Sequence, residues 1–239
     1  MHYQSGIHKH TDDLDIIQKL NKHLTYLLSV NVLTFILGIF AYGDKYLLRE
    51  YAFSYLGGIH TINGNPNTTS LLIFAIGMIS CGIICFYISQ LLNGENGLEM
   101  EKTKHYLFQT SGIGYFIMLM PHDINNNIHA IGAATVFGTL WFITVLILRE
   151  LKQKGEVLKF YIYHFMLQGT VIPYAFLYFV NSPLQQYIQK YAVFGLILVM
   201  KLALIESVKI YQKRKEEISQ YQIETPENMS SGDRTLQPE

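Results

Sequence analysis

Charge is what this sequence has least of. Only 15% of its 239 residues are Asp, Glu, Lys or Arg, against about 25% in an ordinary soluble domain. The few charges are also segregated, leaving uncharged stretches at 23–43, 51–94, 105–122, 124–148 and 160–189. A sixth stretch, 189–211, is apolar apart from Lys201 and Glu206. The hydrocarbon core of a bilayer takes about 20 residues of apolar helix, so the pattern leaves almost nothing to build a soluble core. Period-2 alternation is missing, which argues against strands. A dense basic face is missing too, which removes nucleic acid as a partner. Cysteine is scarce. Cys81 and Cys85 stand four apart inside one apolar run, where they share a helix face, are badly placed for a disulfide and read as packing residues. The first 22 residues contain no apolar segment ahead of a small-residue cleavage site, so no signal peptide is expected.

What is present predicts an all-α integral membrane protein, a bundle of six transmembrane helices at about 23–42, 70–91, 105–120, 127–148, 160–180 and 189–211. Short connections, the 43–69 loop excepted, make consecutive helices antiparallel neighbours. The domain reading is an N-terminal tail over 1–22, the six-span domain over 23–211 and a disordered tail over 212–239, which is rich in Glu, Gln, Ser and Pro. Orientation follows from the basic residues. Lys9, Lys19, Lys22, Lys102, Lys104, Arg149, Lys152, Lys154, Lys159, Lys209, Lys213, Arg214 and Lys215 fall on one side, and Lys45, Arg49 and Lys190 on the other. Both termini are therefore expected on the cytoplasmic side of a plasma membrane (the inner membrane, in a bacterium), where the basic loops meet anionic lipid headgroups. Ala130, Ala134 and Gly138 form a small-residue stripe suited to close helix approach, and Gly112 and Gly114 suit the same purpose. Pro173 should kink the fifth span. Asn67-Thr68-Thr69 is a glycosylation sequon on the outer side.

Two polar groupings stand out from this apolar background. The first lies on the expected outer face, where loop 43–69 brings Ser54 and His60 to the side of "PHDINNNIH", which carries His122, Asp123 and His129. One reading is structural: Asp123 and an asparagine among 125–127 cap the fourth span while the histidines bond loop carbonyls. Another is a ligand site. A third makes His122, Asp123 and His129 zinc ligands that activate water or a serine against a lipid ester or amide. His122-x6-His129 matches no established metal spacing, and no H-E-x-x-H is present. The second grouping is intramembrane. Lys201 lies about 15 Å, and Glu206 about 7 Å, from the inner end of the last span, with His164 and Gln168 at matching depths on the fifth. Charges at such depth are costly and invite a functional reading: the structural alternative is a polar seam of His164, Gln168, Lys201 and Glu206 between the fifth and sixth helices, and the functional one a proton or ion path in a transporter. The additional spans or broken repeats of a transporter are not visible.

"SYLGG" after the first span, "NTTSLLIFAIG" opening the second and "MPHDINNNIHAIGA" between the third and fourth resemble the bacterial six-span family called domain of unknown function nine-nine-eight. They also resemble the related Frag/DRAM/Sfk-type proteins of eukaryotes. The resemblance covers about 23–211, with a Ser-x-Leu-Gly element at Ser54, Leu56 and Gly57 and a Pro…Ile-His element at Pro121, Ile128 and His129. Where the family often has Asp after the serine, this chain has Tyr55. The resemblance implies no defined catalytic residues and, through the eukaryotic relatives, roles in lipid distribution, trafficking or scaffolding. A second likeness, to ceramidase-like and adiponectin-receptor-like zinc hydrolases, lacks their seventh span and the histidine pair of their last helix. The expectation is a non-enzymatic modulator without cofactor that contacts membrane lipids or another membrane protein. The alternatives are a zinc-dependent lipid hydrolase and a proton-coupled transporter.

Overall fold

The computed structural model describes residues 4–93 and 101–224, and it is all-helical. Six helices follow one another: α1 (Gln4–Ala41), α2 (Thr68–Leu92), α3 (Glu101–Ile117), α4 (Asn126–Gln153), α5 (Val157–Phe179) and α6 (Gln185–Glu224), with a short 3-10 turn over Phe53–Gly57. Each expected span coincides with one of them. Three segments, Gln18–Ala41, Thr68–Leu92 and Asn126–Gln153, are long and apolar enough to cross a membrane. Both chain-proximal helices run past their apolar stretches: α1 starts at Gln4, and α6 continues through Glu224, where the sequence reading had a disordered tail from 212. Residues 225–239 of that tail lie outside the described residues.

Local chemistry sets the helix ends. The Asn125 side chain caps α4 by accepting the Ile128 N–H at 3.1 Å. After α4, Gly155 turns left-handed at φ 86° and the Glu156 N–H reaches back to the Leu151 carbonyl at 3.0 Å, which satisfies an end-of-helix acceptor. Asn181, at φ 50°, repeats the device after α5, with the Ser182 N–H on the Leu177 carbonyl at 2.9 Å.

Helices α1, α2, α3, α4 and α6 close a ring, each packed on its neighbours, while α5 lies outside it against α4 and α6. Leu167 is accordingly the buried residue of α5. The ring is filled by side chains such as Leu24 and Leu27, Cys81 and Cys85, Phe108, Leu140 and Ile143, and Met200 and Leu204. Both cysteines are buried thiols. Asn31, also buried, returns its amide to the Leu27 carbonyl at 2.8 Å and reaches Cys81 Sγ at 3.2 Å.

Close backbone approach is made by glycines, two pairs of which fix the crossings of α3. A Cβ on Gly112 would stand 3.1 Å from the Gly82 carbonyl oxygen, and one on Gly132 would stand 2.9 Å from that of Gly114. The Ala130–Ala134–Gly138 stripe does not pack this way. Ala134 and Gly138 are exposed and a Cβ on Gly138 would meet nothing within 4 Å. The reason is rotation: α4 turns Gly132 toward α3, and the stripe lies on another side of the helix.

At the end of the bundle where α2 finishes and α3 begins, polar side chains form buried links. Lys104 on α3 pairs with Glu150 on α4, and Ser207 on α6 donates to the same carboxylate at 3.2 Å. Ser89 and His105 bond each other across the α2–α3 connection, Oγ to Nδ1 at 2.8 Å. This is the basic end. The loop 42–67 and the turn 118–125 form a cap at the other.

Candidate functional site: the polar cap

The cap is built by short polar side chains reaching backbone groups that helices leave unsatisfied. Asn67 is its hub. It is buried, its Nδ2 donates to the carbonyls of Gly58 at 3.0 Å and Leu56 at 3.3 Å, and its Oδ1 accepts the Gly43 N–H at 3.2 Å. Ser70 adds a bond to the Leu56 carbonyl at 2.9 Å. Residues 60–66 fold into a small hairpin whose tip, Gly64, is left-handed. Asp44 holds that hairpin by accepting from Thr61, from Asn65 at 2.7 Å and from Asn63 at 3.3 Å. These bonds, that of Thr61 foremost, hold its carboxyl below the ordinary value. Lys190, from α6, is 5% exposed and donates to the carbonyls of Tyr51, Gln186 and Leu48 at 2.5, 2.7 and 2.9 Å. One side chain thus ties the last helix to the first loop.

The structure brings four of the five outer residues together. The Asp123 carboxylate accepts the Ile59 N–H at 3.0 Å and the His60 N–H at 2.9 Å, clamping the turn before α4 onto the chain after the 3-10 turn. Burial pushes this carboxyl up, and the His60 and Ile59 N–H groups outweigh it, so that it sits below the ordinary value. The His60 ring is exposed, with Nδ1 3.6 Å from the same carboxylate. His122 stacks on Tyr55 with ring centroids 4.8 Å apart, and lies where a Cβ on Gly58 would be 2.8 Å from its Cε1. Burial holds the His122 imidazole below its ordinary pKa, against the pull of Asp123. His129, 3% exposed, places Nδ1 2.8 Å from the Met120 carbonyl. The fifth residue, Ser54, is half-buried on the 3-10 turn and joins no hydrogen bond among the described residues.

What this arrangement can do chemically follows from which atoms are already used. The rings of His122 and His129 are 6.3 Å apart, and His122 Nδ1 and His129 Nε2 are buried without a hydrogen-bond partner among the described residues. Such atoms call for a water or a ligand group. Both oxygens of Asp123 are engaged by backbone N–H groups. Among the described residues no three His, Cys, Asp or Glu side chains converge to hold a metal ion, whereas a catalytic zinc takes three protein ligands. The sequon is buried: the Asn67 nitrogen that would carry a glycan is the one donating to the cap's carbonyls.

The polar seam expected between the fifth and sixth helices is arranged differently in the structure. Glu206 pairs with Lys159 of α5 at 2.6 Å, and Lys159 also reaches Glu156 at 3.1 Å. His164 stacks on Phe160 at 5.4 Å. Gln168 and Lys201 are half-buried and make no polar contact among the described residues. The pairings of Glu206 and Ser207 put these positions level with the start of α5 and the last turn of α4. Lys201 is therefore only about 7.5 Å above that plane.

The sequence reading did not find Lys104–Glu150, the hub role of Asn67 or the anchoring by Lys190. Lys104 and Glu150 stand at the edges of uncharged stretches and look like ordinary boundary charges. Asn67 is locally a sequon, and only its burial shows otherwise. Comparison with family models, with curated proteins and with solved structures gives no match.

Proposed function

We propose that the chain is a six-span membrane protein with both termini on the cytoplasmic side of the plasma membrane, and that it contacts membrane lipid without catalysing a reaction on it. The observation that carries this reading is how the cap spends its polar groups. Asp123 is committed to two backbone N–H groups and His129 to a carbonyl, which is the chemistry of closing a bundle end. The six helices at the expected spans and the exposed apolar side chains on their outer faces, such as Phe40, Ile83, Phe165 and Phe179, support insertion of all six. The two short elements of the family resemblance meet in this cap, since His122 packs against Gly58 beside Leu56 and Gly57. That favours kinship with the six-span families linked to lipid distribution and scaffolding.

The test is to purify the full chain in mild detergent beside His129→Ala and Asp123→Ala, then measure retained lipid and bound metal. Phospholipid retained in all three without stoichiometric metal is the expected result. About one zinc per chain, lost in both folded variants, would replace this reading with the hydrolase.

A further inference from the structure

Toward the basic end the carboxylates of α4, α5 and α6 already have cations, and the half-buried Lys201 stands apart from them. Glu150 is held by Lys104 and Ser207, and Glu156 and Glu206 by Lys159. Lys201 has no polar partner among the described residues. Five positions separate it from Glu206, about 140° around the helix, so it points away from that carboxylate.

Its neighbours can be read from the register of α6 on α1. These helices are antiparallel, and Phe194 meets Phe35 with ring centroids 5.6 Å apart. Lys201 lies seven residues beyond Phe194, about two turns, and so returns to the face turned to α1 at the level of Leu28. The α5 side of α6 is a different face, marked by Gly195 against Thr170 and by Glu206 on Lys159. The half-buried lysine therefore sits at the α1–α6 seam. Lys22 on α1 and Lys209 on α6 are exposed nearer the basic end, also without a carboxylate partner among the described residues. Tyr26, 46% exposed, stands next to Lys22, whose ammonium is 5.7 Å from its ring centre. Tyrosine and lysine together mark headgroup depth.

An unpaired ammonium at the edge of hydrocarbon is costly. A lysine stem spans about four methylenes and can carry its charge toward the headgroups, where the anions available are lipid phosphates. We propose that the α1–α6 seam at the basic end is a binding site for an anionic glycerophospholipid, with Lys201 as its deepest phosphate ligand and Lys209 at its mouth. This rests on the reading of the chain as a lipid-contacting bundle, and names the lipid class and its place.

The experiment is native mass spectrometry of the detergent-solubilised full chain, titrated with phosphatidylglycerol or with phosphatidylcholine. Wild type, Lys201→Gln, Lys201→Arg and the cap-end control Lys45→Gln are compared. Phosphatidylglycerol should bind wild type in preference to phosphatidylcholine. Lys201→Gln should weaken that binding about fivefold, with Lys201→Arg and Lys45→Gln near wild type. Should Lys201→Gln not fold, Lys209→Gln is titrated instead and should also weaken the binding. Undiminished phosphatidylglycerol binding in the neutralised variants overturns the site and leaves the lipid-contact reading standing. A wild type that retains neither lipid overturns both.

Discussion

Removing the charge of Glu150 takes from Lys104 the carboxylate it faces in a place where neither side chain reaches solvent, their exposures being 3% and 0%. Breaking such a buried pair from one side costs about 3–5 kcal/mol, whereas exchanging both partners for well-packed apolar residues is often neutral or stabilising. Glu150→Gln keeps an acceptor for Lys104 and for Ser207 and should fall near the lower figure. Glu150→Ala also leaves the Ser207 hydroxyl unsatisfied, a further penalty of about 1–3 kcal/mol, and should lie at or above the upper one. Lys104→Met leaves the buried carboxylate with the Ser207 hydroxyl but without its ammonium partner and should be similarly damaging. Lys104→Met/Glu150→Leu removes both charges with little change in volume and should recover most of the loss. Equilibrium unfolding in mixed detergent–SDS micelles measures these four variants and the single Glu150→Leu, and the cycle formed by Lys104→Met, Glu150→Leu and their double gives the coupling directly. Single variants that each cost under about 1 kcal/mol and add in the double would place the pair in water, with the modest worth of a surface ion pair, and would refute the reasoning.

Three further predictions concern the cap. Because the folded Asp123 carboxyl lies below its ordinary value of 3.8 and the folded His122 imidazole below 6.5, the stability each contributes is present above those values. It is lost as pH falls through the lower folded ones. The cap should therefore loosen in acid in two steps, the first below pH 6.5, seen in the amide signals of Ile59 and His60; Asp123→Asn should abolish only the second. Gly58→Ala should destabilise by about 1–3 kcal/mol, because its Cβ would stand 2.8 Å from His122 Cε1 and 3.0 Å from the His60 carbonyl oxygen; thermal unfolding in detergent checks it, and Gly58→Ala/His122→Ala should recover part. In a eukaryotic secretory host the folded chain should show no glycosidase-sensitive mass at Asn67, and Asn67→Ala should cost about 1–3 kcal/mol by leaving buried carbonyls without a donor.

Much of the helical layout was legible because segregated charge is a one-dimensional signal: each of the uncharged stretches 23–43, 51–94, 105–122, 124–148 and 160–189 carries the apolar part of one of the first five α-helices. The cap on α4 was legible for the same local reason, since Asn125 acts within three residues of itself. What stayed hidden depends on helix rotation. The Ala130–Ala134–Gly138 stripe and Gly132 are equally good surfaces by spacing, and only packing selects between them. Glu206 had His164, Lys201 and Lys159 within plausible reach, and the chosen partner reflects the exact depth at which α5 begins. The apolar ending of the last span at 211 hid the continuing helix, because the charges of 212–224 read as a tail although they suit a solvated helix equally well.

The ring has a consequence for biogenesis. Four of its five members precede α6 in the chain, and none of them closes the wall, because α1 and α4 meet only through α6. A ribosome that has delivered α1 to α5 has made an open sheet of helices whose two margins are unsealed and whose first loop still lacks Lys190. Helix α6 is therefore the one that shuts the wall, supplies Ser207 at one end and pins the 48–51 carbonyls at the other. Closure of the bundle therefore waits on α6, and quality control acting on nascent membrane chains would meet an open wall until that helix is in place.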